Sequence, residues 1–295
     1  MKMLKGGIEI ALEKEECAAI VSHSRLVESV RLRLAQFHAS KWYELENGVN
    51  HLNLASVDPA FAHHAVKIHV TSHQSSLYHT KAIEQRILNT RIMKSTSPDS
   101  DQTLSLFFLF SHDTCTVSCS VGGFFKRGYR THISAAPLRE TLAAAVAYST
   151  LHTLPAGVPY RVVDPFCGTG TLLQEWFSFT HNDSPACQRR RLLPAYKEVW
   201  GMESERGNSM WDSHKDYPLL GYDASEKAIR GAVHNTQRLI GSESLAPFQF
   251  AACPFHQFQE RMEKEKPWVI LSNPPYGYRS KSKNVAIMTL YEEVF

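Results

Sequence analysis

A chain of 295 residues, 43% hydrophobic and 21% charged, is long enough for two domains or one large one and has the composition of a globular protein, so neither disorder nor a membrane class is indicated. No run approaches the ~18 apolar residues of a membrane span, and Met1-Lys2-Met3-Leu4-Lys5-Gly6-Gly7 has no apolar signal core, so an intracellular protein, cytoplasmic or organellar, is expected. The net charge of +3 arises in residues 1–135, where Lys and Arg outnumber Asp and Glu and most of the 15 histidines lie; this half is the one expected to face a polyanion.

In chain order, Gly6-Gly7-Ile8-Glu9-Ile10 leads into a charged, helix-permissive stretch. Val30-Arg31-Leu32-Arg33-Leu34 and Val66-Lys67-Ile68-His69-Val70 alternate apolar with basic or polar residues, as strands with one buried face do. Residues 42–54 between them begin as a helix, and Asp58-Pro59 marks a break. Residues 81–88 place Ile83, Ile87 and Leu88 on one helical face, residues 95–101 are a loop, and 104–110 and 115–121 read as two strands joined by Ser111-His112-Asp113. Mixed strands and helices of this kind predict a small α+β module. The six cysteines, Cys17, Cys115, Cys119, Cys167, Cys187 and Cys253, include no C-x-x-C pair, so reduced thiols and no metal site are expected; the close pair Cys115 and Cys119 lies in a strand-like run.

Gly122-Gly123-Phe124-Phe125-Lys126-Arg127-Gly128-Tyr129-Arg130 is glycine-rich, basic and aromatic, which predicts either a nucleic-acid contact through Lys126, Arg127, Tyr129 and Arg130 or a solvated linker. A helix is expected from Ala136-Pro137-Leu138-Arg139-Glu140, with Pro137 near its first position, until Pro155 and Gly157. Strand and helix then alternate over 161–164, 171–179, 219–223, 225–240, 248–252 and 269–272, the signature of a parallel doubly wound sheet. Residues 181–216 are polar and read as an inserted excursion.

Val162-Val163-Asp164-Pro165-Phe166-Cys167-Gly168-Thr169-Gly170-Thr171 is a strand, tight loop and helix start, the arrangement with which open α/β sheets bind a nucleotide-like ligand. Gly168 and Gly170 let the backbone approach a ligand, Asp164 can accept from a ribose or an amino group, and the helix N-terminus offers free N–H donors. The third glycine of a dinucleotide site and the Lys-Ser/Thr of a phosphate loop are both missing, which disfavours NAD and ATP. Asp223 closes the next strand, where a ribose-binding carboxylate is expected, and Asp223-Ala224-Ser225-Glu226 also reads as a helix capping box. In Ser272-Asn273-Pro274-Pro275-Tyr276-Gly277, the Asn273 side-chain carbonyl and the Pro274 carbonyl can accept both protons of a planar –NH2 while Tyr276 offers a stacking face.

These residues resemble motifs I and IV of S-adenosylmethionine-dependent amino-methyltransferases. Lys126 to Arg130, with Ala136 to Glu140 after it, resembles the THUMP-containing RNA guanine-N2 methyltransferases of the bacterial 23S rRNA type; residues 67–87 and the segments 6–8 and 31–37 resemble their THUMP core and ferredoxin-like region. The resemblance implies a partial ferredoxin-like region and start of THUMP over 1–60, a THUMP core over 61–121, a linker over 122–136 and a Rossmann-like methyltransferase domain over 137–295. It implies S-adenosylmethionine held by Asp164, Phe166, Cys167, Gly168, Gly170, Thr171, Asp223 and the Cys253 position, a guanine held by Asn273, Pro274 and Tyr276, and structured RNA, rRNA rather than tRNA, as partner. Two departures stand out: Ala251-Ala252-Cys253-Pro254-Phe255 lacks the acid expected for the adenine amino group, and the chain is expected to be truncated at both ends, its catalytic sheet missing the last three strands. The alternatives are an adenine-N6 or glutamine-N5 methyltransferase, since the Asn273 motif suits any planar –NH2, and a non-catalytic RNA-binding protein.

Overall fold

Leu104, Leu106, Phe108 and Phe110 recur with the period of two that turns alternate side chains to one face of a strand, and in the computed structural model all four are buried on β5 (Thr103–Ser111). The structure describes residues 1–4, 7–13, 24–56, 64–94, 103–123, 126–133, 137–155, 160–181, 217–254 and 268–274, with 16, 20, 96, 158 and 257 singly. The described residues of 1–124 form one compact unit and those of 125–295 another.

In the first unit a short hairpin, β1 (Lys2–Leu4) and β2 (Gly7–Glu9), precedes a four-stranded sheet. Its strands are β3 (Ser29–His38), β4 (Ala65–His73), β5 and β6 (Thr114–Gly123), in the order β3-β6-β5-β4. β4 and β5 run parallel; the other pairs are antiparallel. The helices α1 (Trp42–Asn50), α2 (Thr80–Leu88) and α3 (Arg91–Lys94) supply Leu45, Val49, Ile83, Ile87 and Met93 to the core beneath the sheet. Cys115 and Cys119 face that same core, and burial pushes the Cys115 thiol up to about 12, which suits a packing role. The β5–β6 turn needs two left-handed residues, His112 (φ 50°) and Asp113 (φ 58°), and the Asp113 carboxylate secures it by accepting from the Ser76 N–H (2.5 Å) and hydroxyl (3.0 Å). β6 continues through Gly122 and Gly123, paired with Val30 and Ser29, so the linker expected from residue 122 begins later than its composition suggests.

The second unit is a parallel sheet of β7 (Arg161–Asp164), β8 (Leu219–Asp223), β9 (Phe248–Ala252) and β10 (Trp268–Ile270), ordered β10-β7-β8-β9. It is packed by α4 (Glu140–Thr153), α5 (Thr171–Thr180) and α6 (Glu226–Ile240). The chain moves from β7 outward to β9 and returns to β10 on the other side, so the carboxyl end of β7 is the switch point where such sheets bind ligands. α6 is capped at one end by the Ser225 hydroxyl accepting from the Ala228 N–H (3.3 Å) and at the other by left-handed Gly241. Ser225, not Asp223, is thus the cap, correcting the capping box expected at Asp223. α4 also starts later than expected, at Glu140: Pro137 to Arg139 stay outside it, because the Arg130 guanidinium takes the Leu138 carbonyl (2.7 Å) that a longer helix would use. Residues 182–216 and 275–295, including the excursion and Tyr276, lie outside the described residues.

α5 buries charge. Glu175 is fully enclosed and paired with Arg127, itself fully enclosed, while the Tyr129 hydroxyl donates to its other oxygen at 2.7 Å. Removing one partner of such a pair strands the other charge in a medium that cannot solvate it. Glu175→Ala is therefore expected to lower stability by about 3–5 kcal/mol in denaturant melts, and Arg127→Met combined with Glu175→Leu to recover most of the loss. A single mutant as stable as wild type would contradict this.

Candidate active site

At the switch point, β7 ends in Asp164 and the chain turns through Phe166–Gly170 into α5. Gly168 (φ 53°) and Gly170 (φ 84°) take left-handed conformations that favour glycine. A Cβ on Gly168 would meet open space, whereas one on Gly170 would lie 2.9 Å from Gln174 Nε2. The open side of the turn therefore belongs to Gly168 and the packed side to Gly170. The turn is tied to β8: the Cys167 N–H donates to the Tyr222 carbonyl (2.8 Å) and the Gly168 N–H to Asp223 Oδ2 (3.0 Å).

One cavity is lined by Asp164, Phe166, Cys167, Gly168, Thr169, Thr171, Leu172 and Asn273, closed on a further side by Pro137 and Leu138. The sequence-predicted Asp164, Phe166, Cys167, Gly168, Thr171 and Asn273 thus come together, though Asn273 is 109 positions from Asp164 in the chain. They meet because β10 lies beside β7, with the Leu271 N–H donating to the Val163 carbonyl (2.8 Å). Asp223 flanks the turn rather than lining the cavity, and its second oxygen accepts from the Ser225 N–H (2.8 Å). Cys253 is buried beside Val163 and Leu220, its N–H given to the Asp223 carbonyl (2.9 Å); its side chain packs inside the sheet and does not line the cavity. Pro274 is half-buried just beyond Asn273.

Asp164 is buried, and burial lifts its pKa from the usual 3.8 to about 7; the Phe166 N–H (3.1 Å) and the neighbouring Ser272 hydroxyl oppose the rise, and the negative Asp223 adds to it. Burial, with Asp164 and Asp223 nearby, also raises the Cys167 thiol well above its ordinary value, so it is not a nucleophile at neutral pH. Among the described residues no group of three or more His, Cys, Asp or Glu is placed to hold a metal ion, and no helix is long and apolar enough to cross a membrane.

The nucleic-acid contact expected at Arg127, Tyr129 and Arg130 is corrected by their burial. Arg127 and Tyr129 are spent on Glu175, and Arg130 pairs with Glu140 (3.1 Å) besides holding the Leu138 carbonyl. Only Lys126 of the four is exposed. Their basic and aromatic character serves the interior of the second unit.

Sequence reasoning missed the residues that hold the turn. Gln174 Nε2 donates to the Thr169 carbonyl (3.1 Å) and to the Thr236 hydroxyl (3.0 Å). Asn235 accepts from the N–H groups of Thr131 (3.1 Å) and His132 (3.0 Å) and donates to the His132 carbonyl (2.9 Å) and, at 3.4 Å, to that of Thr169. Both are fully buried. The available signal was polar Gln174 and Glu175 inside the otherwise apolar start of α5.

A parallel sheet with a glycine turn at its switch point, a buried acid beneath it and a second acid on the next strand defines a Rossmann-like α/β domain. The chain belongs to the UPF0020 family of RMKL-like methyltransferase domains, whose pattern matches residues 127–295. It is 25% identical to the ribosomal RNA large subunit methyltransferase K/L of Pseudomonas putida (strain W619), over 96% of this chain and 40% of that protein. With the protein of the same name from Aliivibrio salmonicida (strain LFI1238) it shares 34% identity over 58% of this chain and 24% of that one. The chain therefore spans less than half the length of these relatives. Among solved structures it resembles a possible methylase from Clostridium difficile 630, with a TM-score of 0.73, 27% identity, and coverage of 96% of this chain and 75% of that one. A methyltransferase structure complexed with SAH, SMU.472, matches with a TM-score of 0.72 at 23% identity, over 95% of this chain and 74% of that one, which speaks to the fold.

The raised Asp164 pKa makes a prediction for the ligand-free protein. Between its unfolded value near 3.8 and its folded value of about 7 the folded state holds more protons, so stability falls as pH rises through that window. Asp164→Asn should match wild type near pH 4 and exceed it at pH 8, by up to about 4 kcal/mol. Parallel melting curves at the two pH values measure this, and a constant difference would contradict it.

Proposed function

We propose that this protein is an S-adenosylmethionine-dependent methyltransferase acting on the exocyclic N2 of guanine in structured RNA, most specifically ribosomal RNA. One observation carries the reading: a buried carboxyl at the switch point and an Asn just beyond the neighbouring strand line the same cavity. The names of the curated relatives support the choice of ribosomal RNA. In this reading the first unit is the ferredoxin-like and THUMP region that grips RNA, the second unit is catalytic, and the protein works inside the cell.

The residues present suit the cofactor. Asp164 is a buried acid with its charged form disfavoured, a defect that the cofactor's ammonium would remedy. Open space above Gly168 admits the methionine moiety, the N–H groups at the start of α5 suit its carboxylate, and Asp223, bonded to the Gly168 N–H, is assigned the ribose. When bound, S-adenosylmethionine supplies a methyl group activated by a positive sulfur. The Asn273 side-chain carbonyl accepts a hydrogen bond from one N–H of the guanine amino group and the Pro274 carbonyl from the other, which orients the nitrogen and its lone pair in the cavity. Tyr276, outside the described residues, is assigned the stacking face. Pro137 and Leu138 exclude water from one side.

Asp164→Ala should weaken S-adenosylmethionine binding roughly tenfold to a hundredfold in calorimetry, as loss of a charge-assisted bond of ~1.5–3 kcal/mol predicts. In the wild type, affinity should rise as pH increases through about 7, because a cation favours the ionised Asp164. Asn273→Ala should leave that affinity near wild type while lowering turnover about a hundredfold. Nucleoside mass spectrometry of the methylated RNA should find N2-methylguanosine; methyladenosine or methylglutamine as the sole product would overturn the assigned target.

A further inference from the structure

The sheet of the first unit has two unlike faces, and only one is explained by the core. The four strands β3 to β6 contain no Asp or Glu at all, while their outer face presents Arg31 and Arg33 from β3 and Lys67 from β4. Glu9 of β2 pairs with Arg33 at 2.5 Å; among the described residues neither Arg31 nor Lys67 has a carboxylate partner. The face is positive by construction.

It is also lined by planar groups. The Arg31 guanidinium carbon lies 3.7 Å from the centroid of the Phe107 ring, and the His69 ring stacks on Phe107 with centroids 4.6 Å apart and planes inclined by 12°. Phe107 and His69 are directly paired across β5 and β4. Arg31 reaches Phe107 over β6, where Ser118 and Ser120 stand in register and are short enough to let it pass. Burial first, then Lys67 and Arg31, lower the His69 pKa against the weaker opposing pull of Glu84, so the imidazole is neutral at physiological pH and serves as a flat surface. Leu109, the next outward residue on β5, is 46% exposed. Folding requires no aromatic row on a solvent face, and holding three planar side chains there costs rotamer freedom.

We infer that this face docks an unpaired stretch of RNA, bases stacking on the sides of Arg31 and His69 turned away from Phe107, which the two sandwich, and phosphates lying against Arg31 and Lys67. A broad, flat sheet cannot enter the deep, narrow groove of an RNA duplex, but splayed bases stack readily on aromatic and guanidinium planes. The serine and threonine rows of β6 add hydroxyl partners for sugar and phosphate oxygens. The inference rests on the RNA reading proposed above and extends it to a second surface, away from the cavity of the catalytic unit in sequence.

The test is fluorescence anisotropy on the full chain without cofactor, using a short labelled oligouridine and a blunt RNA duplex of equal length. Phe107→Ala should weaken oligouridine binding about 5- to 100-fold. Arg31→Lys, which keeps the charge and loses the plane, should also weaken it without changing the salt dependence. Arg31→Gln with Lys67→Gln should flatten the log–log salt slope by about 0.7 for each phosphate no longer neutralised. Melting curves check folding, and the two charge variants alter only surface positions. Wild-type affinity in both Phe107→Ala and Arg31→Lys, equal affinity for the duplex, or displacement of the RNA by polyglutamate at equal charge concentration would each overturn the inference. Calorimetry with S-adenosylmethionine on the same variants separates the two readings: a protein that fails to bind cofactor but binds oligouridine loses the proposed activity and keeps this surface.

Discussion

The second unit depends on how it tolerates Glu175. A carboxylate enclosed in the middle of α5 is unstable alone, and the fold answers this by bringing in Arg127 and Tyr129 from the segment that precedes α4. That segment is thereby pinned against α5, and its continuation, through Asn235 and the bond from Arg130 to Leu138, is held over the carboxyl edge of the sheet. Pro137 and Leu138 reach the cavity for this reason. A charge that is costly in itself becomes the anchor that closes the site.

A second layer of buried polar groups sets the turn. The Thr169 carbonyl accepts from Gln174 on α5 and Asn235 on α6, while Asp223 holds the Gly168 N–H from the other side. Buried networks of this kind hold one geometry. Asp164 is the exception: few donors reach it, and its pKa of about 7 records the shortfall. An acid in this condition suits the cationic ligand proposed for the cavity.

The two units divide their charge differently. In the second unit, arginines are drawn inward to satisfy Glu175 and Glu140; in the first unit, Arg31 and Lys67 stay outside on strands free of acid. The first unit, residues 1–124, is balanced overall, with 12 Lys and Arg against 12 Asp and Glu, so the positive character of its sheet face comes from how the charges are segregated and not from an excess.

Sequence by itself determined the elements whose signal is local. The bounds of β8 and β9, the Gly241 stop of α6, the alternation of β5 and the β7 turn with its two glycines were all legible, because period, cap and positive φ depend on neighbours in the chain. The meeting of Asp164 and Asn273 was expected only through the family resemblance, and the pairing of β10 with β7 is what brings it about. The fate of Arg127, Tyr129 and Arg130 was not legible. A basic, aromatic, glycine-rich run has the same composition whether it meets a phosphate or a buried carboxylate, and the deciding partner, Glu175, lies 48 residues from Arg127. The start of α4 failed for the same reason, since Pro137 favours a helix N-terminus but Arg130 had already claimed the Leu138 carbonyl. Tertiary structure decided what long-range pairing decides: which charges are buried, which carbonyls are taken, and hence which polar groups each unit leaves at its surface.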